Sequence, residues 1–109
     1  IQNNCTLFPH ALAQGSTFNP ELIQQMTEAA GEEAKAIGIH QILSSVFDIA
    51  RELRWGRIEE TYGEDPYLIA EMGVAFIKGY QKHRITCMPK HFVAHGTPSG
   101  GLNCAGESA

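Results

Sequence analysis

Two helix openings built on proline, each followed by a short apolar run, constrain this chain more than any other feature. In Asn19-Pro20-Glu21-Leu22, Asn19 can accept from the first free amides and Pro20 needs no amide hydrogen at the first helical position. Glu21 suits the positive end of the helix. Leu22, Met26, Ala30, Ala34 and Ile37 follow at three- and four-residue spacing, which predicts one apolar stripe, and Gly38 offers a left-handed stop. The second opening is Glu64-Asp65-Pro66, with Asp65 as cap, followed by Ile69, Met72, Phe76 and Tyr80 at helical spacing. Gly73 and Gly79 should weaken this helix by ~1 kcal/mol each relative to Ala. Residues 39–49 carry Ile42, Leu43, Val46, Phe47 and Ile49, too apolar for a half-exposed strand. Ile85-Thr86-Cys87-Met88 is a second short apolar run, stopped by Pro89. Strands apolar on both faces, alternating with helices, predict an α/β fold with a parallel sheet covered by helices. Either a (β/α) barrel or a doubly wound sheet satisfies that pattern. A (β/α)₈ barrel takes ~250 residues. In that case residues 1–109 are a piece incomplete at both ends, with open strand edges and an uncovered apolar face.

Composition limits the functions on offer. Hydrophobic residues at 43% and charged residues at 18% make a globular balance that argues against disorder. The net charge of −4 offers nucleic acid or an anionic membrane no basic footprint. No apolar run approaches the ~18 residues of a membrane-spanning helix. The start, Ile1-Gln2-Asn3-Asn4-Cys5, has no signal-peptide pattern and no Met, so the natural N-terminus is expected upstream. Cys5, Cys87 and Cys104 match no metal spacing; Cys87, inside an apolar run, reads as a small buried thiol.

Chemistry-bearing residues gather after the two apolar runs. From Asp48 to Glu60 there are three arginines, four carboxylates and Trp55 in thirteen residues. In a parallel α/β fold they fall at the carboxyl end of the sheet, where ligands bind. Two readings are open: a network of ion pairs that pins a long loop, or an arginine fork, Arg57 above all, that grips a hydroxyl pair or a carboxylate. The second group is Pro89-Lys90-His91-Phe92-Val93-Ala94-His95-Gly96. Lys90 and His91 supply donors suited to sugar hydroxyls, or else are a surface lysine beside a histidine satisfied by backbone. As neighbours on extended backbone their side chains diverge, and they share a pocket only if the strand end is twisted or bulged. His91 and His95 have the spacing of a helical metal pair, but the segment reads as strand-to-loop, so neither a metal nor any other cofactor is expected. Thr97-Pro98-Ser99-Gly100-Gly101 reads as a flexible loop, and it lacks the lysine and spaced glycines of a phosphate cradle.

Read in order, these segments resemble the N-terminal domain of glycoside hydrolase family 3. The resemblance is carried by Thr6-Leu7-Phe8-Pro9, by Ser16-Thr17-Phe18-Asn19-Pro20-Glu21-Leu22, and by Arg54-Trp55-Gly56-Arg57. It continues through Glu60-Thr61-Tyr62-Gly63-Glu64-Asp65-Pro66 to Lys90-His91-Phe92 and the glycine-rich loop. It implies a (β/α)₈ barrel or a close variant, of which this chain is a fragment that needs the remainder of its parent chain. It further implies a retaining β-glucosidase acting on the non-reducing end of β-linked oligosaccharides or glucosides, through two carboxyl groups. By the same resemblance Arg57, Lys90 and His91 bind the sugar in the −1 subsite, while Arg54 and Asp48 order the loop around Arg57. Nucleophile and acid/base lie outside the chain, so no catalytic residue is expected within it. Glu59, Glu60, Glu64 and Asp65 are expected to be loop and cap carboxylates. A periplasmic or secreted location is implied only by the family's polymer-derived substrates.

One departure stands out. Glu52-Leu53 occupies the place of the family's usual Asp-Pro, which loosens the turn. Val93-Ala94-His95-Gly96 differs from the Pro-Gly-His-Gly of the β-N-acetylglucosaminidase branch and points to the β-glucosidase and β-xylosidase branch. A β-xylosidase, or a carbohydrate-binding relative without catalysis, are the alternatives.

Overall fold

The computed structural model describes residues 5–107. The signal-peptide reading of the first residues therefore lies mostly outside the described part. Five elements and two 3₁₀ turns follow in order: α1 (Ala11–Gly15), α2 (Pro20–Ala36), β1 (Gln41–Ile42), a turn at Ile58–Glu60, α3 (Pro66–Gln81), β2 (Thr86–Cys87) and a turn at Ser99–Gly101. The short helix α1 has no counterpart in the sequence reading.

Both proline-opened helices begin where their caps require. Asn19 Oδ1 accepts from the Leu22 amide at 3.1 Å, and Asp65 Oδ1 accepts from the Tyr67 amide at 2.9 Å. Each occupies one otherwise orphaned donor, and a proline stands at the first turn in both. Past α2, Gly38 takes φ 87°, the left-handed turn expected of it.

Which face of α2 is buried differs from the expected stripe. Ile23, Thr27 and Gly31 are its buried residues, whereas Leu22 and Ile37 at the stripe's ends are exposed. The reason lies in the neighbouring helix. A methyl group on Gly79 of α3 would collide with the Thr27 hydroxyl and stand 2.7 Å from the Gln24 carbonyl. One on Gly31 would meet the His83 ring at 3.0 Å. The helices therefore meet through small residues, and this contact rotates α2 by about one position. On α3, Ile69, Met72 and Phe76 are buried as the spacing predicts. Gly73 and Gly79 are contact points, not mere weaknesses: a methyl on Gly73 would meet the Phe47 ring at 3.2 Å. Ile23, Tyr62, Ile69, Met72, Ala75 and Phe76 form the core cluster, with Phe47 stacked on Tyr62 at 6.1 Å between centroids.

β1 and β2 pair in parallel, Gln41 with Thr86 and Ile42 with Cys87. The ladder resumes as a parallel bridge between Val46 and Lys90. Partner offsets fall from 45 (86 less 41) to 44 (90 less 46), so β1 carries one extra residue between Ile42 and Val46. This is a bulge. Regular strand is shorter than the apolar runs because the register shifts here and Pro89 has no amide hydrogen to donate. Nor are the strands covered on both faces by the described residues: Leu43 and Met88 stand exposed. All three cysteines are free, and Cys87 is only half-buried. Among the described residues no helix is long and apolar enough to cross a membrane.

Candidate carbohydrate-contacting site

The ladder delivers Asp48 and Lys90 to its carboxyl end. Phe47 N donates to the Lys90 carbonyl at 2.6 Å, and the next residue, Asp48, turns a side chain only 1% exposed toward the loop after β2. Asp48 Oδ2 accepts from the His91 amide at 3.0 Å and from His91 Nδ1 at 2.7 Å, while Oδ1 accepts from the Gly96 amide at 2.9 Å. Gly96 must be glycine, since a Cβ there would stand 2.8 Å from Asp48 Cβ and 2.9 Å from the Ile49 carbonyl. One buried carboxylate thus pins both ends of the His91–Gly96 loop.

Arg57 reaches the same histidine from the other strand's loop. Its Nη1 lies 3.1 Å from His91 Nε2. A guanidinium only donates, so Nε2 accepts and Nδ1 carries the hydrogen that goes to Asp48. Arg57 Nε and Nη2 donate to the two oxygens of Glu60 at 2.6 and 2.7 Å. Of the five N–H groups of a guanidinium, one on Nη1 and one on Nη2 then remain for a ligand. Glu60's carboxyl is held below the usual range by these bonds first, with the charges of Arg57 and the nearby Lys90 adding to them against a desolvation that raises it. Trp55, 2% exposed, backs the site: Arg57 Cζ stands 5.8 Å from its ring centroid, and its indole N–H donates to Asn103 Oδ1 at 2.9 Å.

Lys90 and His91 line different cavities. His91 joins Asp48, Glu52, Thr97 and Glu107 around a space of about 890 Å³. Lys90 joins Glu60, Tyr62, Ser44 and Ser45 around a polar one of about 200 Å³. The bulge does not turn the two side chains into one pocket; the Arg57–Glu60 pair links them, touching His91 with its guanidinium and Lys90's cavity with its carboxylate. Arg57 is ion-paired to Glu60, and two of its five N–H groups have no partner among the described residues.

Arg54 departs from expectation. Its amide, Nε and Nη2 all donate to the Glu52 carboxylate at 2.8–2.9 Å, which pulls the Glu52 carboxyl down to about 2, first through the side-chain bonds. The Arg54 side chain is 71% exposed and none of its hydrogen bonds reaches Arg57. Arg54 orders its own turn, closed by the Trp55 amide on the Glu52 carbonyl at 3.0 Å. The Glu52 fork thereby does what a proline would do at the next position. Asp48 is structural as expected, but it orders the His91 loop and not the Arg57 loop. The 97–101 segment is tied down: Ser99 N donates to the Gly106 carbonyl at 2.8 Å, Pro98 bridges to Glu107, and Gly100 and Gly101 take φ of 66° and 77°. Glu60 is a loop carboxylate as expected; its pairing with Arg57 was not singled out, although the i, i+3 spacing is its signal. His91 and His95 meet edge to face at 4.3 Å between centroids, and no group of three His, Cys, Asp or Glu gathers as metal ligands among the described residues.

An α/β segment with a parallel ladder, and a polar donor cluster at its carboxyl end, define a piece of a parallel α/β fold with a candidate ligand site. The family model for the glycosyl hydrolase family 3 N terminal domain matches residues 1–107, and the chain belongs to this family. Its fold is part of the (β/α)₈ barrel of that domain. A β-xylosidase of Formosa agariphila is 41% identical over 109 residues, which cover 92% of this chain and 15% of the relative. A periplasmic β-glucosidase of Salmonella typhimurium is 32% identical over 93% of this chain and 14% of its own length. Among solved structures, a β-glucosidase involved in saponin metabolism from intestinal bacteria superposes with a TM-score of 0.93 at 35% identity, covering 96% of this chain and 15% of that one. A mutant β-glucosidase from Listeria innocua in complex with laminaribiose gives 0.88 at 38%, covering 92% and 15%. The chain therefore spans about 15% of the length of these relatives.

Proposed function

We propose that the full-length polypeptide carrying this sequence is a retaining β-glucosidase acting on the non-reducing end of β-linked oligosaccharides or glucosides. Residues 1–109 are one segment of its N-terminal barrel, and the remainder of the polypeptide completes the barrel and brings the two catalytic carboxyl groups. Within this segment Arg57, Lys90 and His91 contact the sugar in the −1 subsite. The observation that carries this is the arrangement at Arg57: a guanidinium clamped by Glu60 and His91, with one free N–H on each terminal nitrogen. Two donors on one guanidinium fit neighbouring ring hydroxyls. Their hydrogen bonds accelerate hydrolysis to the extent that they strengthen as the ring flattens toward an oxocarbenium ion. Lys90 donates to a further hydroxyl from its own side. A periplasmic or secreted location accords with the periplasmic relative.

A second reading, a β-xylosidase of the same family, is favoured by the 41% identity to the Formosa enzyme. A panel of aryl β-glycosides offered to the full-length polypeptide separates the two, by which of the glucoside and the xyloside is cleaved. Lys90→Ala should lower kcat/KM at least ~10-fold through the loss of one charge-assisted bond of ~1.5–3 kcal/mol. Unchanged kinetics would remove Lys90 from the site. No cleavage by a folded protein would leave a carbohydrate-binding relative without catalysis.

A further inference from the structure

We propose that Glu60 is a positioning residue for the sugar site, holding Arg57 in place by its carboxylate and balancing the charge of Lys90 across a shared cavity; the proposal rests on the carbohydrate reading above. Three observations converge on it. The 3₁₀ turn Ile58–Glu60 is closed by the Glu60 amide on the Arg57 carbonyl at 3.0 Å, and side chains three residues apart eclipse in such a turn. This brings the carboxylate side-on to the guanidinium, both oxygens engaged at 2.6 and 2.7 Å. Second, Glu60 and Lys90 line the same polar cavity, and the Lys90 ammonium has no hydrogen-bond or ion-pair partner among the described residues, so the Glu60 carboxylate is the anion that shares its cavity. Third, Glu60 takes only the Nε and Nη2 edge of Arg57, so it orients the guanidinium while leaving donors for a ligand.

The charge balance gives the carboxylate its purpose. A neutral sugar cannot offset two cations, so Arg57 and Lys90 without Glu60 would repel one another across an uncharged ligand. Arg57 would also lose the fork that fixes its plane, keeping only the single contact to His91. Glu60 itself stays off the reacting atoms and acts through Arg57 and Lys90.

The test is a double-mutant cycle on hydrolysis of an aryl β-glycoside by the full-length polypeptide, using Glu60→Gln, Arg57→Ala and the pair, each checked for an unchanged unfolding midpoint. Glu60→Gln keeps size but removes the charge and one acceptor, and should lower kcat/KM by about 10-fold or more. In the Arg57→Ala background the same change should cost less than about threefold, because its effect runs mainly through Arg57. A purely structural role would give equal losses in both backgrounds, and that result would overturn the proposal, as would Glu60→Gln kinetics within twofold of wild type. If Glu60→Gln does not fold, Glu60→Asp, which keeps the charge one methylene short, takes its place; a loss that persists undiminished in the Arg57→Ala background again overturns it. Full activity in both Arg57→Ala and Lys90→Ala would instead sink the carbohydrate reading, whatever Glu60 does.

Discussion

Replacing Asp48 by Asn tests the geometry of the site most sharply, because the change is nearly isosteric and the carboxylate has no unused role. Asp48 accepts three hydrogen bonds from a position with 1% of its side chain exposed, two on Oδ2 and one on Oδ1. An amide has one accepting oxygen. If that oxygen takes the Oδ2 place, the new NH₂ faces the Gly96 amide and one charge-assisted bond is lost, at about 1.5–3 kcal/mol. If it takes the Oδ1 place, the NH₂ faces His91 and forces its hydrogen onto Nε2, where Arg57 already donates. The first arrangement is the less costly, so the variant should fold, with the His91–Gly96 loop loosened by that amount. Every 1.36 kcal/mol is tenfold in rate. kcat/KM for an aryl β-glycoside should therefore fall about 10- to 100-fold in the full-length polypeptide. Asp48→Ala, which orphans all three donors, should cost about 3–5 kcal/mol and show directly in the denaturant midpoint. Asp48→Asn with kcat/KM within twofold of wild type, and an unshifted ¹⁵N spectrum for the His91 ring, would refute the reasoning.

Other expectations follow from particular contacts. Gly79→Ala should destabilise by about 1–3 kcal/mol in chemical denaturation, against the usual ~1 kcal/mol gain from removing a helical glycine, because the methyl meets Thr27 and the Gln24 carbonyl. Burial pushes the Tyr62 phenol up to about 12 from its ordinary 10.0, although Ser45 facing it acts the other way, and its hydroxyl has no hydrogen-bond partner among the described residues. A raised folded value means the contribution is whole below pH 10 and is lost as pH rises toward 12, by about 2–3 kcal/mol. Tyr62→Phe should be neutral or slightly stabilising at pH 7 and should unfold less readily than wild type between pH 10 and 12, as read by circular dichroism. Glu64 is exposed, and Glu64→Gln should leave kcat within about twofold; a collapse with the fold intact would give this carboxylate a chemical role.

What could be read from residues alone was the information carried over a few positions. Asn19 with Pro20 and Asp65 with Pro66 start their helices through bonds that span two or three residues, so the sequence neighbourhood contains the whole cause. The Arg57–Glu60 pair belongs to the same class, three residues apart, and its signal was in plain view. The resemblance at Arg54 to Pro66 and at Lys90-His91 was enough to mark out the family and the sugar-contacting candidates. Tertiary structure alone decided the rest. Which face of α2 is buried depends on Gly79, far along the chain on α3, since only a missing side chain there lets Thr27 come so close. Asp48 reaches His91 across 43 residues and Gly96 across 48, and Arg57 reaches His91 across 34, so their roles exist only once the parallel ladder has closed. The one-residue bulge that interrupts that ladder is likewise a property of two strands together. Short-range hydrogen bonds are written in local sequence; the partner of a buried carboxylate is chosen by the packing that brings distant segments within 3 Å.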